Sequence, residues 1–350
     1  QAAHPLLFAF DWIAWAAASV PGAAITVTTT LVTAVLGALA AVALVVACCS
    51  RFPARPAVAG LAALAGMAVF PALPMSRSDR VELHVLDVGQ GDAILLRTNA
   101  GHWLLLDAGP AWRGGDAGRT TVLPYLLRRG GSLDAFVLSH PHTDHVGGAA
   151  SVLTAMRPHA YWDAAFAGGS DAYIASLAAA RKQGIEWHRV HPGDSIRIDG
   201  VVVSFLAPDS AWTVGLKDPN LASTIAVVRY GVVRFLLVGD AERAEEDWLL
   251  AHYHDELRAQ VLKVGHHGSS TSSSDAFLDA VRPDVAVISV GAGNMYGHPS
   301  NDVLHALSKV GAEVLRTDEA GTVIVSTDGV HIEIEAKGDK WELVPDSSKH

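Results

Sequence analysis

Cysteine is almost missing from the 350 residues: Cys48 and Cys49 are the whole complement, adjacent and at the end of an apolar run. Neighbouring cysteines cannot build a disulfide framework or a cysteine zinc site, and with nothing polar around them they make a poor nucleophile. A basic surplus is also missing. Lys and Arg number 26 against 36 Asp and Glu, a formal charge of −10. That excludes a global basic field for nucleic-acid capture, so any such contact needs a local patch or bound cations. Charge of either sign is scarce at the start, where Asp11, Arg51 and Arg55 are the only charged side chains between Gln1 and Met75. This scarcity explains a mean hydropathy of +0.27 with 18% charged residues, too apolar for an ordinary soluble enzyme and far too apolar for a disordered chain. From Ser76 onward the composition is that of a globular domain. The chain reads as a membrane part joined to a soluble part.

Within the first part, Ile25 to Ser50 runs 26 residues without a charge, and about 20 suffice to cross a bilayer core. A second run, Ala57 to Pro74, is 18 residues long, with Gly60, Gly66 and Pro71 tolerable in a span that packs on a neighbour. Residues 25–75 are therefore expected to form two transmembrane helices. Residues 1–24 carry Asp11, Trp12 and Trp15 and suit an amphipathic interfacial segment with indoles at headgroup level. A signal peptide would come first, behind a basic stretch, and does not fit. The apolar pattern is already under way at Gln1, as expected of the end of a larger polytopic protein. Arg51 and Arg55 in the tight loop make that loop cytoplasmic and turn the following domain outward, although Arg77 and Arg80 pull the other way.

The soluble part, expected over 81–340 with a polar tail at 341–350, alternates strand-like and helix-like stretches. Strands are expected at Val81–Leu86, Ala93–Arg97, His102–Leu106, Asp134–Ser139, Val201–Leu206, Thr224–Tyr230, Val233–Val238 and Val285–Val290, with a closing hairpin at Gly321–Ile334. Helices are expected at Gly147–Met156, Ala241–His252, Ser274–Val281 and Asn301–Val310. This predicts an α/β fold with a mixed sheet arrangement. The chemistry concentrates in Ser139-His140-Pro-His142-Thr-Asp144-His145-Val-Gly-Gly148. Four ligand-type side chains lie within six residues. His140 and His142, at i and i+2 in extended chain, can converge on one ion, while the consecutive Asp144 and His145 can reach a second beside it. Imidazole and carboxylate suit Zn, Mn or Fe.

His140-x-His142-x-Asp144-His145 resembles the signature of the metallo-β-lactamase superfamily, an αββα sandwich with a two-metal site between its sheets. Asp87-Val-Gly-Gln90-Gly-Asp92, Phe235-Leu-Leu-Val-Gly239-Asp240, Lys263-Val-Gly265-His266-His267-Gly268-Ser269 and Asn294-x-Tyr296-Gly297-His298-Pro299 narrow the resemblance to the C-terminal domain of ComEC-type proteins, the inner-membrane channels of DNA uptake in natural transformation. The resemblance implies that His140 and His142 hold metal one, that Asp144 and His145 hold metal two, and that Asp240 bridges them. His267 or His266 completes metal two, the other facing the substrate, and His298 is a ligand or proton donor. Asn220 and Ser223 are implied as site-lining groups in place of a histidine found in many members; His159, His188 and His191 fall in that interval without a ligand context. Asp107 braces the metal loop, Asp87, Gln90 and Asp92 stand in a turn of either structural or functional role, and Ser269 follows the histidine pair.

Two divalent ions, Mn or Zn, would activate water and neutralise a phosphoryl oxygen, with Asp240 orienting the hydroxide, Asp144 counted among the catalytic residues as well as the ligands, and His266 or His298 protonating the leaving oxygen. The resemblance implies DNA as substrate, cleavage of the strand that is not taken up, a multi-pass inner-membrane location with the hydrolase domain on the extracytoplasmic face, and the remaining channel and uptake machinery as partners. Arg113, Arg119, Arg128, Arg129, Arg181 and Lys182 are better read as solvated charges than as phosphate contacts. A non-catalytic DNA-guiding module, or a tethered hydrolase of another phosphoester such as a phosphorylcholine ester, are the competing functions; Trp103, Trp112, Trp162 and Tyr296 are the aromatics a choline site would need.

Overall fold

The computed structural model describes residues 31–69, 78–166 and 168–343. The expected interfacial segment 1–24, residues 25–30 and 70–75 of the expected spans, and 344–350 of the expected tail lie outside the described residues. The chain divides into two units, essentially the N-terminal helices and the domain that follows them.

In the first unit α1 (Leu31–Cys49) and α2 (Ala54–Val69) form a hairpin. Small residues let the two backbones close: a Cβ placed on Gly60 would lie 3.3 Å from Ala43 Cβ, and one on Gly66 would lie 3.5 Å from Leu36 Cδ1. Val35, Leu39, Val42, Leu44 and Val45 are exposed, a surface that water does not favour. Among the described residues α1 is the one helix long and apolar enough to cross a membrane. The expected second span at 57–74 corresponds to a helix that begins three residues earlier, takes Arg55 into its first turn, and is described for 16 residues.

The second unit is built from β1 (Val81–Val85), β2 (Ile94–Arg97), β3 (Trp103–Leu106), a small ribbon of β4 (Ala111–Trp112) and β5 (Gly115–Asp116), β6 (Leu133–Val137), β7 (Ala160–Asp163) and β8 (Glu186–Arg189). There follow β9 (Ser195–Ile198), β10 (Val201–Ala207), β11 (Ile225–Tyr230), β12 (Val233–Leu237), β13 (Val261–Lys263), β14 (Val285–Ile288) and β15 (Glu313–Arg316), then β16 (Val323–Thr327), β17 (Ile332–Ala336) and β18 (Asp339–Leu343). Nine strands form one sheet in the order β18-β17-β16-β1-β2-β3-β6-β7-β8, and seven form the other in the order β15-β14-β13-β12-β11-β10-β9.

Period-two alternation decides which side chains meet between the sheets. Val81, Leu83 and Val85 of the first sheet pack with Val233, Phe235 and Leu237 of the second in one buried cluster. Leu236 and Leu262 face the other way and are covered by Leu249, Phe277, Leu278 and Leu307 from helices. On the outer face of the nine-stranded sheet, Tyr161 meets Phe136 at 4.9 Å between ring centroids and reaches Ser176 on the helix Asp171–Gln183. The result is the αββα sandwich expected from the resemblance. The expected strands and helices are present within about two residues at each end. One expectation is corrected: residues 341–343 of the expected tail belong to β18, where Trp341 pairs with Ile334 and packs partly buried against the core. The helix Asp171–Gln183 is among the elements the sequence reading does not name.

Candidate metal centre

The site is assembled from loops that follow the carboxyl ends of strands. Asp107 follows β3, Ser139–His145 follow β6, Asp240 follows β12, His266 and His267 follow β13, and Gly291–His298 follow β14. β3 and β6 run parallel, as do β12, β13 and β14, so these loops emerge at the strand ends where ligands bind in α/β sheets. Two glycines permit the close approach. At Gly91, with φ +129°, a Cβ would lie 2.1 Å from Asp144 O, and at Gly148 it would lie 2.3 Å from Ala108 O.

Asp107 organises the histidine loop from a left-handed backbone, φ +57°. Its Oδ1 accepts from Ser139 N at 2.8 Å, and its Oδ2 accepts from Ser139 Oγ at 2.6 Å and His145 Nδ1 at 2.8 Å. A carboxylate only accepts, so the neutral His145 carries its proton on Nδ1 and presents a bare Nε2. With its hydrogen spent on Asp107, Ser139 Oγ accepts from His140 Nδ1 at 3.0 Å, which bares His140 Nε2 in turn. His267 Nδ1 donates to Ser289 O at 2.8 Å. His266 Nδ1 lies 3.1 Å from Glu242 Oε1 and 3.2 Å from Thr271 Oγ1. The second nitrogen of each ring is left for the centre.

Asp240 stands among them with its two oxygens facing different partners. Oδ1 lies 3.3 Å from His145 Nε2 and 3.7 Å from His267 Nε2. Oδ2 lies 3.8 Å from both His140 Nε2 and His266 Nε2. His142 Nδ1 is 3.1 Å from His140 Nε2, and Asp144 Oδ2 is 3.5 Å from His267 Nε2. The donor atoms of Asp144, His145, Asp240 and His267 all fall within 4.8 Å of one another. His145 Nε2, His267 Nε2 and Asp240 Oδ1 are buried without a hydrogen-bond partner. Native interiors rarely leave such atoms unmatched, and two imidazole nitrogens with two carboxylates are a donor set that fits a divalent transition ion.

Charge balance gives the same answer. Burial opposes ionisation of Asp144, but His145 and His267 outweigh it and hold the carboxyl far below its usual range. Asp240 is held low against burial by His145 and His267. Burial disfavours charge on His145, yet Asp240, Asp144 and Asp107 raise its pKa well above the ordinary value, and His267 is raised against burial by Asp240 and Asp144. His140, by contrast, is lowered by burial and by His145. Two carboxylates thus face the imidazoles at the centre, a concentration of negative charge that a bound cation would balance. Beneath the centre, Asp92 and Lys263, both 0% exposed, form an ion pair. Lys263 Nζ also donates to Gly239 O at 3.3 Å, next to Asp240.

The other expected residues are placed as follows. Ser223 Oγ accepts from Asp240 N at 3.2 Å and donates to Asn220 O at 2.9 Å, so it props the carboxylate rather than lining the centre. Asn220 is buried beside it. Gln90 Oε1 accepts from Gly291 N at 3.2 Å, and Ser269 Oγ pairs with Thr271 Oγ1 at 3.0 Å. Asp87 is exposed; its carboxylate closes its own turn onto Gly89 N, and its backbone N donates to Thr322 Oγ1. His298 is half-buried, its ring 5.8 Å from that of His266. None of His159, His188 and His191 joins a donor group; His188 instead stacks on Trp162 at 4.3 Å. Arg113, Arg119, Arg128, Arg129, Arg181 and Lys182 are all exposed. Sequence reasoning gave no role to Ser139, Ser289, Glu242 or Lys263. Of these only Lys263 carried a signal, a charge closing an apolar strand.

Residues 86–292 match the metallo-beta-lactamase superfamily. The chain is 34% identical over 260 residues to Recombination protein 2 of Haemophilus influenzae, covering 74% of this chain and 30% of that protein. It is 31% identical over 278 residues to ComE operon protein 3 of Bacillus subtilis, covering 73% and 34%. It is 36% identical over 240 residues to Competence protein ComA of Neisseria gonorrhoeae, covering 68% and 31%. The chain thus spans about a third of the length of these curated relatives. With the sandwich and the centre in hand, the chain belongs to the metallo-beta-lactamase superfamily, and its sequence groups with the ComEC-type competence proteins over the part they share.

Proposed function

We propose that the domain is a dinuclear metal-dependent phosphodiesterase that degrades the non-transported DNA strand at an inner-membrane uptake channel. The observation that carries this reading is Asp240, which turns one oxygen toward His145 and His267 and the other toward His140 and His266. Asp144, His145, Asp240 and His267 would hold one ion, with His140, His142 and the second Asp240 oxygen holding the other; Mn and Zn are the ions proposed. When bound, the ions supply Lewis acidity toward a phosphoryl oxygen and lower the pKa of water near them. Asp107, Ser139 and Ser289 fix which imidazole nitrogens face the centre. His266, aligned by Glu242, and His298 beside it stand where a proton can be delivered to the leaving oxygen.

The competence relatives support DNA as substrate and the rest of the channel as partner. The exposed apolar face of α1 supports a membrane location; two passes through α1 and α2, with the hydrolase domain on the extracytoplasmic side, complete the proposal. A purely DNA-guiding module would not require buried, unmatched donor atoms. Of the four aromatics a choline site would need, Trp103 is fully buried and Trp162 is stacked on His188, which leaves Trp112 and Tyr296.

The test uses the full chain in detergent, loaded separately with Mn²⁺ and Zn²⁺, against end-labelled single- and double-stranded DNA. The expected result is cutting that chelator and Asp144→Ala abolish. Stoichiometric metal without DNA cleavage would overturn the substrate, and absence of both metal and cleavage would overturn the enzyme.

A further inference from the structure

The loop after β14 is held by one side chain. Asn294 Oδ1 accepts from Tyr296 N at 3.2 Å and His298 N at 3.0 Å, while its Nδ2 donates to Gly291 O at 3.0 Å and His298 O at 2.7 Å. Every donor and acceptor of that amide is spent on the loop. Gln90 ties the base of the loop to the Asp87–Asp92 turn. At its tip Met295 is 90% exposed and Tyr296 65% exposed.

A single exposed aromatic needs no explanation, but Tyr296 is aligned with the centre. Its ring lies parallel to His298, 15° apart with centroids 5.8 Å distant. The His298 ring is 5.8 Å from that of His266, whose Nε2 is 3.8 Å from Asp240 Oδ2. A row of rings therefore leads from solvent to the bridging carboxylate, polar imidazoles inside and a phenol with a free surface outermost.

We infer that Tyr296 is a stacking platform for one unpaired nucleobase of the substrate strand; the inference rests on the DNA hydrolysis proposed above. The row of rings places Tyr296 beyond His298 and His266 from Asp240, so the base it meets belongs to a nucleotide flanking the cut, to which the loop offers an aromatic face. A base inside a duplex already has both faces covered by its neighbours, so the platform selects single-stranded or frayed nucleotides.

The test measures dissociation constants by fluorescence anisotropy for the full metal-loaded chain, using a phosphorothioate single strand that resists cutting. Tyr296→Ala should weaken binding about tenfold, and Tyr296→Phe should restore it. An abasic nucleotide moved stepwise along the strand should cost wild type the same factor at one position and cost Tyr296→Ala nothing more there. Wild-type indifference to every abasic position, or losses that multiply in the variant, would overturn the platform. The abasic scan on wild type needs no variant to fold. Because binding is read without cleavage, failure of DNA hydrolysis and failure of stacking are distinguished.

Discussion

Asp107→Asn isolates the group that orients the histidine loop. Asparagine tolerates the left-handed backbone at φ +57° better than other side chains, so the change is chemical rather than steric. Asp107 Oδ2 receives two donors, Ser139 Oγ at 2.6 Å and His145 Nδ1 at 2.8 Å. An amide that keeps its oxygen on Ser139 N must place NH₂ against both of them. His145 then loses the acceptor that fixes its tautomer, and Nε2 is no longer held bare toward Asp240. Loss of such a partner typically lowers metal affinity about 10- to 100-fold, or about 1.4–2.7 kcal/mol. Ser139→Ala leaves the Asp107–His145 bond in place but removes the acceptor of His140 Nδ1, so its effect should fall on the ion that His140 would hold. Competition against a fluorescent chelator, with metal content by mass spectrometry, measures both. Equal affinity in Asp107→Asn and wild type, with the fold intact by circular dichroism, would refute the orienting role of Asp107.

Other consequences follow from the same geometry. Stripping metal with a chelator should lower the thermal midpoint; an ion present at 100 times its dissociation constant contributes about 2.7 kcal/mol, and scanning calorimetry with and without Mn²⁺ or Zn²⁺ reads it. Glu245 is 0% exposed with both carboxyl oxygens unmatched, and burial pushes its pKa well up. Its proton is held more tightly in the folded state, so that contribution is complete below the unfolded pKa and is lost as pH rises toward the folded one. Glu245→Gln should therefore raise the midpoint at neutral and alkaline pH and leave acid stability nearly unchanged; an unshifted midpoint at pH 8 would contradict the burial argument. Gly148→Ala puts a Cβ 2.3 Å from both Ala108 O and Gly118 N and should cost about 3 kcal/mol or more, read from urea unfolding.

How much of this was legible in the sequence depends on where the information resides. His140, His142, Asp144 and His145 lie within six residues, so their convergence is a local property, and Asp240 and His267 close apolar strands whose ends had to lie together. Alternation along Val81–Leu86 likewise marks β1 locally, with Val81, Leu83 and Val85 turned into the core. The helix Asp171–Gln183 was missed although Ser170 caps its start and Gly184, at φ +70°, ends it, because its face toward Tyr161 is made of Tyr173, Ser176 and Ala180 rather than large aliphatics. The same reason hid β8 and β9, edge strands with mixed patterns. The choice between His266 and His267 could not be read from adjacency either. Both have positive φ, 46° and 53°, and those backbone angles send one ring toward Ser289 and Asp144 and the other toward Glu242 and His298. Glu242 and Ser289 reach the histidine pair from the loops after β12 and β14, the strands on either side of β13, and the Asp92–Lys263 pair forms only once the two sheets have met. Donors that close on one another along the chain are written locally; the acceptors that decide which nitrogen each donor shows are supplied by the fold.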